Sequence, residues 1–128
     1  MPDIETRKDI EKLLQDFYTT AMKDELIGHH FVDLDLKSHL PVITDFWVKV
    51  LFREPVYFGN PMLTHKILHD KSKLESAHFS RWVEIFAQKV DSMFTGEFAE
   101  MAKERAQVVA RSLNARLNED EAVYTKIV

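Results

Sequence analysis

Residues 76–94 read SAHFSRWVEIFAQKVDSMF. Phe79, Trp82, Val83, Phe86, Val90, Met93 and Phe94 recur at intervals of three and four, with Arg81, Glu84, Lys89 and Asp91 between them. That period lays one apolar stripe along a helix, and Ser76 suits its N-cap. The same period continues on both sides. Upstream, Ile10, Leu13, Leu14, Phe17, Ala21 and Met22 mark a segment over about 6–26, and Leu40, Ile43, Phe46, Trp47, Val50 and Leu51 mark a second from Ser38. Pro41 lacks an amide donor and fits the first turn of that second segment. Downstream of Thr95-Gly96-Glu97, the residues Phe98, Met101, Ala102, Arg105, Val108, Val109, Ser112 and Leu113 carry a fourth, which frays after Leu113.

No stretch alternates with period two, so the expected class is all-α: four substantial helices, with less regular pieces at 27–37 and 58–75. A bundle and a globin-like packing both satisfy the pattern. The 128 residues form one expected domain, with a core over about 6–118 and a C-terminal tail over about 119–128. The formal net charge of -4 argues against a bulk electrostatic grip on nucleic acid. The absence of cysteine removes disulfides, thiolate metal sites and a thiol nucleophile. The charged opening, MPDIETRKDIEK, does not read as a signal peptide, and no apolar run is long enough to span a membrane. A cytoplasmic protein is the expectation.

Chemistry is concentrated in histidines and aromatic rings. In Tyr57–Asp70, YFGNPMLTHKILHD, His65 and His69 stand four apart on one side of any helix that forms there. A zinc reading lacks the glutamate of the HExxH pattern and a third ligand at a recognisable spacing. A di-iron reading needs two Glu-x-x-His motifs, and Glu75–His78 is the single instance. Nucleotide loops and nucleophile elbows are absent. Phe17, Tyr18, Phe31, Phe46, Trp47, Phe79, Trp82 and Phe86 can share one interior. The Tyr18 hydroxyl and the Trp82 indole N–H would need partners there. A ligand pocket and a plain aromatic core both fit these residues.

The order of five motifs then matters. DFYTTAMKDELIGHHF, HLPVITDFW, YFGNPMLTHKIL, HFSRWVEIFAQKVDSMF and RAQVVA, with these gaps, resemble a truncated haemoglobin of the third group over about residues 8–115. The resemblance implies a two-over-two helical sandwich holding haem b. By position, His65 matches the proximal iron ligand. Tyr18, His39 and Trp82 match the distal residues that face a bound gas, and Phe31, Trp47 and Phe86 those that pack around the haem. Leu36 stands where many members carry tryptophan, and Pro41 follows His39 by two. The orientation of His39 is therefore open between solvent, the haem face and the iron. His69 matches no ligand and is expected at the surface or the haem edge; His29 and His30 are expected to be exposed.

The resemblance further implies binding of O2, NO and CO, with NO detoxification or peroxidase-like turnover as further roles that need an electron donor. A monomer or weak dimer is expected. The rival from another class is a cofactor-free helical interaction module.

Overall fold

The computed structural model describes residues 1–119, so the expected tail lies outside the described residues from position 120 onward. Five α-helices form among the described residues, with no strand: α1 (Arg7–Ala21), α2 (Leu36–Phe52), α3 (Pro61–Lys71), α4 (Ser76–Met93) and α5 (Glu97–Asn114). A 3-10 turn, Gly28–Phe31, precedes α2, and a π-helical turn, Ala115–Glu119, follows α5. This is the all-α class expected from the periodicity.

Four of the five helices start where the chain supplies a cap; Asp35, before α2, makes no side-chain cap bond. For α1, the Thr6 hydroxyl accepts the Asp9 amide and the Asp9 carboxylate accepts the Thr6 amide. For α3, the Asn60 side chain accepts the Leu63 amide and Pro61 occupies the first helical position. The cap of α4 is Glu75 rather than Ser76. The Glu75 amide donates to His78 Nδ1 at 2.9 Å, and Ser76 instead bonds Asn114 on α5. The start of α5 is capped from far away in sequence. Asp3 accepts the Phe98 and Ala99 amides at 2.9 and 2.8 Å, which ties the N-terminal arm to the first turn of α5. Gly96, at φ 141°, permits that approach, since a Cβ there would lie 2.5 Å from the Asp3 carboxyl carbon.

Helix α2 corrects an expectation. It begins at Leu36, not near Ser38, so Pro41 lies inside it rather than in its first turn. Pro41 cannot donate to the carbonyl of Lys37, but Lys37 is exposed and water can serve that carbonyl.

Helix α4 packs against α5 and α1, α1 against α2, and α2 also touches α5. Their shared core is lined by Ile10, Leu13, Leu14, Phe17, Val48, Ile85, Phe86 and Val90, all nearly or wholly buried. Burying a side chain the size of Phe17 or Phe86 contributes about 1.5–3 kcal/mol. Alanine residues on the inner side of α5 (Ala99, Ala102, Ala106, Ala110) keep it close to its neighbours. Helix α3 stands apart from this frame. It docks through Met62 and Leu68 onto a smaller cluster of Leu74, Phe79, Ala110, Leu113 and Leu117. Trp82 packs against both clusters and joins them.

Candidate functional site

The apolar stripe of α1 ends in Phe17 and Tyr18, so the same periodicity that buries the helix delivers a phenol to the interior. Tyr18 is buried, and its hydroxyl lies 3.0 Å from His39 Nε2 on α2. Phe31 and Phe17 hold the Tyr18 ring edge-on at 5.8 and 5.1 Å. Burial drives the phenol pKa far above its usual value, so Tyr18 stays protonated and can always donate. His39 is half-buried. Burial first, and then the electrostatic influence of His65, press its pKa below the usual histidine value, which favours a neutral ring at pH 7. The tautomer decides direction: His39 Nε2 accepts from the phenol, or donates to it and frees the phenol proton for another acceptor. Of the orientations left open for His39, the structure therefore shows it turned inward, on Tyr18.

From Tyr18 the aromatic rings run on without a break. Phe17 meets Trp82 edge-on at 5.8 Å and Phe86 at 5.9 Å. Phe86 stacks between Trp82, at 5.7 Å, and Trp47, at 4.9 Å. Trp47 and Phe86 are deeply buried, whereas Trp82 and Phe31 are half-buried. Trp47 and Phe86 thus form the buried floor of this run of rings, Tyr18 is buried beside them, and half-buried His39, Phe31 and Trp82 stand nearer open space. The frame is fastened by Arg81, beside Trp82. Its guanidinium holds the Asp24 carboxylate at 2.8 Å, and Asp24 in turn accepts the Leu26 and Ile27 amides. Arg81 is the chief cause that holds the Asp24 pKa below its usual value.

His65 comes from α3. Its Nδ1–H donates to the Pro61 carbonyl one turn earlier, at 2.7 Å. A carbonyl only accepts, so the proton is fixed on Nδ1 and Nε2 keeps a free lone pair. Burial lowers the His65 pKa against the opposing pull of that carbonyl, so the ring is neutral at pH 7.

His69 is placed differently from the expectation. It is 9% exposed, so it is not a surface imidazole, and its Nδ1 accepts the buried Leu74 amide at 3.1 Å. It shares a side of α3 with His65 but closes the turn into α4. His30 is a second correction. It is also 9% exposed, because the 3-10 turn rolls it inward, and its Nε2 lies 3.2 Å from the Lys73 carbonyl. His29 is exposed, as expected. Sequence reading missed the Asp3 clamp, the Asp24–Arg81 tie and the grouping of His29, His30 and His78. Each joins residues dozens of positions apart, with no local spacing to signal it.

The comparisons agree with this fold. The family model for bacterial-like globins matches residues 3–122. The chain is 27% identical over 110 residues to the group 3 truncated hemoglobin ctb of Campylobacter jejuni, a match covering 81% of this chain and 84% of that protein. The crystal structure of a group III truncated hemoglobin from Campylobacter jejuni aligns with a TM-score of 0.79 at 26% identity, covering 91% of this chain and 95% of the other. With the family match spanning nearly the whole sequence, the chain belongs to the bacterial-like globins.

Proposed function

We propose that this globin holds haem b through His65 and binds diatomic gases (O2, NO, CO) on the side of Tyr18, His39 and Trp82. The globin family implies a haem, and the donor set fits one. The observation that carries the reading is the 2.7 Å contact from His65 Nδ1–H to the Pro61 carbonyl, which presents a neutral imidazole with Nε2 ready to coordinate. Bound haem iron would supply the position at which a diatomic gas coordinates, and a one-electron redox couple.

The residues then divide the work. His65 supplies the coordinating nitrogen, and the Pro61 carbonyl fixes its ring and raises its basicity. Tyr18 offers a phenol proton that burial keeps in place, and His39 sets where that proton points. The Trp82 indole N–H is the second donor toward the gas. Phe31 closes the side of the pocket, and the Trp47–Phe86 floor keeps water out from below. Two donors in a dry pocket favour a polar ligand such as O2 and slow its release. That tendency suits oxygen retention and redox use, such as NO detoxification or peroxidase-like turnover, better than rapid delivery. A separate protein would have to supply the electrons.

Reconstitution tests this directly. The purified chain titrated with haemin is expected to reach one haem per chain with a strong Soret band, which shifts on reduction and addition of CO. Failure to take up stoichiometric haem would overturn the reading and leave a cofactor-free helical module. Consumption of NO by the oxygenated protein, with a reductant present, separates turnover from storage.

A further inference from the structure

We propose that His29, His30 and His78 form a second metal site, for a borderline divalent cation such as Zn2+, Ni2+ or Cu2+, where the Gly28–Phe31 turn meets the start of α4. None of the three is assigned to the haem. One nitrogen from each ring can be chosen so that all three lie within 4.8 Å of one another. The rings are already grouped: His29 and His30 centroids are 4.0 Å apart, His30 and His78 4.6 Å, and His29 and His78 5.6 Å.

His30 is the anchor. Its Nε2–H donates to the Lys73 carbonyl, so its Nδ1 carries a lone pair. That Nδ1 is the one buried side-chain nitrogen or oxygen without a hydrogen-bond partner among the described residues. A buried acceptor left unpaired is costly, and native structures retain few. A cation on Nδ1 would satisfy it, with the proton already on the far nitrogen and the ring already oriented, as in metal-bound histidines generally.

The other two ligands can close the site. His29 is exposed and free to turn. His78 accepts the Glu75 amide at Nδ1, so its neutral metal-free ring carries the proton on Nε2. Coordination through Nε2 displaces that proton to Nδ1 by way of solvent, and water replaces His78 as the acceptor of the exposed Glu75 amide. Metal–imidazole bonds are about 2.0–2.1 Å, which puts ligand nitrogens about 3.3 Å apart in a tetrahedral set. The present spread therefore closes by side-chain rotation of His29 and His78 around a fixed His30. Three imidazoles without a hard oxygen ligand select zinc, nickel and copper over magnesium or calcium. The fourth position faces solvent on the His29 side.

The test uses the full chain as purified, stripped with a chelator and titrated calorimetrically with ZnCl2. One saturable ion per chain is expected, with a dissociation constant of about 1 µM or tighter. His29→Ala and His78→Gln are each expected to weaken it at least ~10-fold, with the Soret band and helical content unchanged. His30→Ala is expected to abolish it. Because His30 is buried and that variant could fail to fold, the two outer variants decide the question. The absence of saturable uptake, or uptake that survives the combined His29→Ala and His78→Gln change, would overturn the site. Neither result depends on His65 or on haem.

Discussion

Tyr18→Phe is the sharpest perturbation of the proposed gas-binding side. The change removes one oxygen and keeps the ring, so the edge-on contacts to Phe17 and Phe31 survive and the core stays filled. Within the protein the hydroxyl meets His39 Nε2 at 3.0 Å, and half-buried His39 can recruit water when it is lost. The fold should lose about 1 kcal/mol or less. Oxygen release should change far more. A hydrogen bond to a ligand that takes on negative charge is worth about 1.5–3 kcal/mol, which corresponds to dissociation faster by about 10- to 150-fold. Mixing the oxygenated ferrous protein with excess CO in a stopped-flow instrument reads this rate. CO develops little charge, so its own dissociation should hardly move. An unchanged oxygen rate would remove Tyr18 from the ligand's surroundings, and an equal rise for CO would mean a steric effect. His39→Leu completes a double-mutant cycle. If His39 sets the direction of the phenol proton, the two changes together should cost less than the sum of each alone. Strict additivity would refute the pairing.

Other consequences separate the site from its frame. His65→Ala should abolish stoichiometric haem uptake. His69→Ala should keep the Soret band yet lose about 1–3 kcal/mol in urea unfolding, because the buried Leu74 amide loses its acceptor. Asp3→Ala should cost about 0.5–2 kcal/mol as the α5 cap disappears, and Gly96→Ala about 1 kcal/mol or more, since its φ of 141° disfavours a side chain; chemical denaturation reads both. The stability contributed by Asp24 should have an acid limit. Arg81 depresses the folded-state pKa of Asp24, so this stabilisation is present above the unfolded value, near 3.8, and drains away as pH falls through the folded value. A plot of melting temperature against pH should therefore be shallower at its acid end in Asp24→Asn than in the parent; parallel curves would contradict the assignment. Finally, amides of α3 should exchange with deuterium faster than those of α4 in the haem-free chain and slow when haem is added, as mass spectrometry can follow.

What the sequence disclosed follows from which faces are apolar. Helices α1, α4 and α5 were legible from their apolar periodicity, but α1 ends at Ala21 rather than near 26, and α5 buries Ala99, Ala102, Ala106, Ala110 and Leu113 while Arg105, Val108 and Ser112 of the expected stripe are exposed. Helix α3 was legible only as a turn leading into a short helical piece. Its inward side carries His65 and His69, while Leu63 and Ile67 face outward at 56% and 53% exposure, so the hydrophobic pattern contradicts the burial pattern. The same chemistry hid the surroundings of His30 and His69. A buried histidine depends on one carbonyl or one amide reaching it, and those partners, Lys73 and Leu74, become neighbours only after the chain has turned. Motif order, not periodicity, singled out His65 from His69. The geometry now distinguishes them physically: Nδ1 of one donates to a carbonyl and leaves Nε2 free, and Nδ1 of the other accepts a buried amide.

These differences bear on how the fold and its cofactor depend on one another. The side that presents Tyr18 and Trp82 belongs to a frame of stacked rings, an interhelical ion pair and four mutually packed helices. Small displacements there are resisted, as donors aimed at a ligand require. The side that presents His65 hangs on Met62, Leu68 and the turn closed by His69. A group that bridged His65 to the aromatic floor would bind the folded arrangement of α3 and not the unfolded one, so its binding free energy would add to the stability of that helix. A rigid distal side and a lightly held α3 thus serve different needs. On the proposed reading, one would fix the geometry presented to a ligand, and the other would gain stability when the cofactor binds.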